Sequence, residues 1–180
     1  MLDRQQIKTV FEQIFGQTYH IQLLGGAEEP LYLPAAPPDQ PCNHLIYTRD
    51  YAASALHEIA HWCLASEEQL QQKDWGHWYV PDGRNAEQQR TFQRAEAKVQ
   101  AVEWMLSIAG GLPFRESSDN LSGEPVDDEW FKDQIHQQAL RFCEQGFPER
   151  AELLFNAFAA ASGQTLILSK TLFKREALGN

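Results

Sequence analysis

The segment Ala55-Leu56-His57-Glu58-Ile59-Ala60-His61-Trp62 can satisfy both its apolar and its polar residues only as a helix. At about 100° per residue, His61 stands about 40° from His57, so both imidazoles can point at one ion, with Glu58 about 100° away. Ala52, Leu56, Ile59, Ala60, Cys63 and Leu64 occupy the other side as a continuous apolar face. The helix therefore has a packing side and a chemical side. Two adjacent core histidines bonded to backbone carbonyls would also fit the pattern, but buried imidazoles without partners are costly, which favours a metal. The apolar spacing predicts a helix over 50–70, with Thr48 or Asp50 as its cap, because no Gly or Pro interrupts it.

The rest of the chain surrounds that helix with recognisable elements. Ile7, Val10, Phe11, Ile14 and Phe15 mark an amphipathic helix over 3–15, stopped at Gly16. Tyr19 to Leu24, Leu31 to Leu33 and His44 to Thr48 read as short strands separated by turn-forming stretches. Asn85 followed by Gln88 is a capping box, opening a helix of about 25 residues that ends at Gly110-Gly111. Two more helices fit 127–145 and 149–161. Strands early and helices late, without βαβ alternation, make the expected fold class α+β: a small β-sheet with several packed helices. One domain over 1–180 is expected for a chain of 180 residues.

Charge and cysteine content remove several function classes. A net charge of −10 and a pI near 5.0 leave too little clustered Lys and Arg for sustained contact with a phosphate backbone, so no direct nucleic-acid partner is expected. No apolar run long enough to span a bilayer is present, and from the polar, helix-periodic start no export signal is expected. Cys42, Cys63 and Cys143 form no disulfide or zinc-knuckle pattern; a cytoplasmic location is expected.

An open metal site needs a third protein ligand. On the helix after Asn85, Glu96 and Glu103 lie on one stripe two turns apart, and both are candidates. Two reactions are compatible with two histidines and a carboxylate. A gluzincin-like zinc metallopeptidase would use Glu58 as general base on a metal-bound water, with a short edge strand near 44–48 to hold the substrate. The metzincin extension is absent after His61. The same donors also make the facial set of non-haem iron enzymes that activate oxygen. A di-iron bundle would need a second Glu-x-x-His, which the sequence lacks.

Five blocks, EPLYLPA (29–35), YAASALHEIAHWC (51–63), WYVPDGR (78–84), EAKVQA (96–101) and DNL (119–121), give the chain a resemblance to the bacterial elongation factor P hydroxylases over nearly its whole length. The resemblance implies a monooxygenase that hydroxylates the lysine of elongation factor P already extended by a β-lysyl group. It implies a zincin-like helix and an iron site in which His57 and His61 match the family's histidines and Glu96, opening EAKVQA, its carboxylate. Iron (Fe2+) would be the metal, with zinc as a substitute, and molecular oxygen the co-substrate. On this reading Glu58 is either a base or a hydrogen bonder that orients water or a histidine. Trp62, Trp78 and Tyr79 are expected to line the channel for a long, lysine-tipped side chain, with Asp82 pairing with its ammonium and Arg84 beside it in the same turn.

Overall fold

In the first helix, α1 (Arg4–Phe15), the predicted apolar face holds: Ile7, Phe11 and Phe15 are buried. Its start is a capping box. Gln6 N donates to Asp3 Oδ1 at 2.8 Å, and Asp3 N donates to Gln6 Oε1 at 2.9 Å. The structure is a computed structural model that describes residues 1–49, 51–76, 85–117 and 128–178.

Three strands follow: β1 (Ile21–Ala27), β2 (Leu31–Leu33) and β3 (Asn43–Thr48). Their order is β1-β3-β2, with β1 parallel and β2 antiparallel to β3. Ile21 and Leu23 of β1, Tyr32 of β2, and Leu45 and Tyr47 of β3 alternate inward and form one buried face. The expected edge strand near 44–48 is thus the central strand, hydrogen-bonded on both sides. The edge beside it is β2, whose Tyr32 N–H is already donated to Asp74 Oδ1 at 2.9 Å. Strand order is a long-range property that period-2 patterning does not encode.

The histidine helix, α2 (Ala52–Leu64), is shorter than the apolar spacing predicts. Ala65 leaves the helix with ψ 135°, and Ser66 and Gln69 then bond reciprocally to each other's backbone N–H. That Ser-x-x-Gln pattern was a legible stop signal. Arg150 reinforces it by donating to the carbonyls of Cys63 and Ala65, which lack intrahelical partners at the helix end. At the other end Tyr51 provides no side-chain cap; instead Ser54 Oγ accepts from Thr48 N at 3.1 Å, tying α2 to the end of β3. Asp50 lies outside the described residues.

α3 (Ala86–Gly110) begins with the expected Asn85–Gln88 box and ends where Gly111 turns left-handed, φ 68°. α4 (Asp128–Gln145) and α5 (Glu149–Ala161) match the expected helices, and both pack on α3. α2 is held between β3 and α3. The fold is α+β, a small three-stranded sheet with several helices. Among the described residues no helix is long and apolar enough to cross a membrane.

Candidate metal centre

Because α2 packs by Leu56, Ile59, Ala60 and Cys63, its opposite arc turns His57 and His61 toward α3. The two Nε2 atoms stand 3.2 Å apart. The Glu96 carboxylate, only 3% exposed, meets both: Oε2 is 3.6 Å from His57 Nε2 and Oε1 is 3.5 Å from His61 Nε2. Donors held by one first-row ion at about 2.1 Å stand about 3.0–3.4 Å apart for angles between square and tetrahedral; the 3.2 Å separation lies inside that span, and the 3.5 and 3.6 Å separations lie just beyond it, a gap that a small side-chain shift closes.

Glu103, the rival carboxylate, stands elsewhere. Its Oε2 lies 2.9 Å from His57 Nδ1, the ring nitrogen turned away from Glu96. With Nδ1–H donated to Glu103, a neutral His57 points an Nε2 lone pair at His61 and Glu96. At 3.2 Å the two Nε2 atoms need either a proton on His61 Nε2 or a cation shared between them, and Glu96 at 3.5–3.6 Å adds a negative charge that favours either one. The titration of the protein groups expresses the same demand. Burial pulls His57 down, but its hydrogen bond to Glu103 and the charges of Glu103, Glu96 and Glu58 outweigh it and hold its pKa at about 10. The donor set therefore fits a metal on its own chemistry.

Glu58 is buried on the same side of α2 and lines the same cavity. Burial raises its pKa; His57 opposes this, and Glu96, Glu103 and Asp74 add to it, leaving Glu58 at about 7. A carboxyl at that value can take or release a proton at neutral pH. Cys63, by contrast, is a core thiol pushed up to about 12 by burial.

The cavity containing these groups has a volume of about 560 Å3. Its far wall was not legible as such from the sequence. Trp75 lines it and stacks on Tyr32, centroids 4.0 Å apart and planes 18° apart. Asp74 and Trp75 both have left-handed backbones, φ 49° and 60°, which is strained for non-glycine residues and is held here by the Asp74 bond to Tyr32 N. Burial raises the Tyr32 phenol to about 12, and its hydroxyl donates to Leu70 O at 2.9 Å. Gln100 fixes another edge of the cavity by exchanging two hydrogen bonds with the backbone of Ser117. The available signals were the aromatic-rich stretch opening at Trp75 and the tyrosine inside EPLYLPA.

Trp62 is a correction. It does not line this cavity: it is 1% exposed, packed among Phe11, Phe15 and Tyr19 on the core side of α2. It follows His61 by one residue, and about 100° of helix turns it inward. Trp78, Tyr79, Asp82 and Arg84 lie outside the described residues, as does His77, a further histidine in the same aromatic-rich stretch.

Comparison with known proteins agrees with the geometry. The family model described as Elongation factor P hydroxylase matches residues 10–173. A protein of Haemophilus influenzae named "Elongation factor P lysine hydroxylase" is 43% identical over 156 residues, covering 87% of each chain.

Proposed function

Because the chain belongs to the elongation factor P hydroxylase family, we propose that it is a protein-lysine hydroxylase that uses iron and molecular oxygen to hydroxylate the β-lysylated lysine of elongation factor P. Residues 1–180 act as one zincin-like domain in the cytoplasm, where translation factors work. The observation that carries the proposal is the convergence of His57 Nε2, His61 Nε2 and the Glu96 carboxylate.

Those three residues would hold the metal. Iron, when bound, supplies the electron-transfer chemistry needed to activate oxygen, whereas zinc could take the same donors but has no redox chemistry. Glu103 holds the His57 ring and its tautomer by accepting from Nδ1, so that Nε2 is presented. Glu58 stores or delivers a proton at its carboxyl, near neutrality. Tyr32 and Trp75 form an apolar wall suited to the methylenes of a long side chain, and the carboxylates of Glu58 and Asp74 draw its cationic tip into the cavity. Trp78, Tyr79, Asp82 and Arg84 are assigned to substrate contact, since their segment follows within a few residues of Asp74 and Trp75, which line the cavity.

The zinc peptidase alternative finds no support. A substrate strand needs a free sheet edge, and β3 is central; at the two edges the N–H of Leu23 on β1 is donated to Glu12 and the N–H of Tyr32 on β2 to Asp74. The test is intact-mass spectrometry of β-lysylated elongation factor P incubated with iron-loaded protein and a reductant. One added oxygen atom in air, and none without oxygen, is expected. Truncated products in both tubes, lost on Glu58→Gln, would refute the proposal.

Glu103→Ala gives a separate expectation. Metal affinity should fall by about 10–100-fold, the usual effect of removing a partner that orients a ligand. Competition with a chromophoric chelator measures it; an unchanged affinity would show that the 2.9 Å contact does not position His57.

A further inference from the structure

A second cavity, about 480 Å3, shares His61, Trp75 and Glu96 with the first as a common wall. The two differ in charge. The first gathers Glu58, Asp74, Glu96 and Glu103 against Arg115, whereas the second is lined by Arg94 and Lys98. These two cations continue a row on α3: Arg90, Arg94 and Lys98 recur every four residues, and all three are exposed. The row occupies about 80° of the helix surface and about 12 Å of its length. Glu96 projects from another side of the same helix into the metal centre. Arg90 is placed at one end of the row by its guanidinium, 5.7 Å over the Trp130 ring.

Like charges four residues apart on a helix repel. Among the described residues no ion pair neutralises Arg94 or Lys98, although acidic residues outnumber basic ones 25 to 15. A row of cations concentrated beside one opening of a strongly acidic protein is suited to a partner.

We propose that Arg90, Arg94 and Lys98 dock an acidic face of the protein whose lysine enters the metal centre. The inference rests on the hydroxylase reading and adds where the body of the substrate protein sits. A modified side chain must reach the centre while its folded carrier stays outside. An enzyme of charge −10 repels an acidic carrier on average, and a row of this kind offsets that repulsion locally. The two cavities then divide the work by charge, the cationic rim for the acidic body and the carboxylate-lined interior for the cationic tip. A polyanionic nucleic acid fits less well, because its charge continues beyond the row across an acidic surface.

The experiment compares the full chain with Arg94→Glu/Lys98→Glu, exposed positions at which charge reversal leaves the core untouched. Binding of β-lysylated elongation factor P is measured by calorimetry at about 50 and about 300 mM salt, and hydroxylation by intact mass. The expected result is a Kd at least about tenfold weaker for the double variant at low salt, with the gap closing at high salt, as for a steering surface. Turnover at saturating substrate should stay within about twofold, with iron content unchanged. Equal Kd values for the two proteins, or no binding by either, would overturn the docking surface. So would tight binding of tRNA that is lost in the variant, which would make the row a nucleic-acid surface. Salt-sensitive binding by the wild type without oxygen addition would uphold the docking surface and sink the hydroxylase reading, so the two fail separately.

Discussion

Alanine at His57, His61 or Glu96 is expected to remove bound iron and hydroxylation together. Each substitution deletes one of three donors that meet within 4.8 Å, and two donors of this kind leave an ion mostly to solvent. The loss in metal affinity should exceed the 10–100-fold expected at Glu103, reaching at least about a thousandfold, so that excess iron restores Glu103→Ala but not the ligand variants. The variants also differ from one another. His57→Ala leaves Glu96 and Glu103, both buried, without the imidazole that faces them, and should lower folding stability as well. Glu96→Gln preserves shape and removes only charge, and is the cleaner test. Elemental analysis of purified variants decides: wild-type iron content in any of them would remove that residue from the ligand set.

Trp62→Ala is expected to act on stability and leave the chemistry alone. The indole is 1% exposed, with ring centroids of Phe15, Tyr19 and Phe11 at 4.8, 5.0 and 5.2 Å. The Arg150 guanidinium lies 4.7 Å over it while donating to the carbonyls at the end of α2. Truncation empties a site where α1, α2 and α5 meet and frees that guanidinium. A loss of about 3–5 kcal/mol follows for a buried aromatic, or a melting temperature lower by roughly 10 °C for a chain of this size. Denaturant titration measures the first and a thermal scan the second. An unchanged midpoint with a raised KM would return Trp62 to the substrate channel.

The contrast between Trp62 and Trp75 shows where sequence reading stops. A helical wheel places Trp62 about 100° beyond His61, but whether that direction is channel or core depends on what packs there, and α1 and α5 supply the answer from far along the chain. Trp75 sits in an irregular segment with no period to read, and its position is set by stacking on Tyr32, 43 residues earlier by the numbering. The same limit applied to β3. Its alternating pattern identified a strand, yet parallel pairing with β1 made it central.

What the sequence determined by itself is local and periodic. The caps at Asp3–Gln6 and Asn85–Gln88, the left-handed stop at Gly111, the apolar face of α2 and the shared direction of His57 and His61 follow from contacts within a few residues, where backbone geometry leaves little choice. Even the Ser66–Gln69 stop was of this kind. Periodicity left Glu96 and Glu103 tied and only the family resemblance favoured Glu96; the geometry that separates them came from the tertiary structure. They are seven residues apart on one stripe, equivalent by periodicity, and the axial offset of α3 against α2 sets one opposite the two Nε2 atoms and the other opposite His57 Nδ1. That offset is fixed by the packing of whole helices, a sum over many side chains distant in sequence, and no window of a few residues contains it.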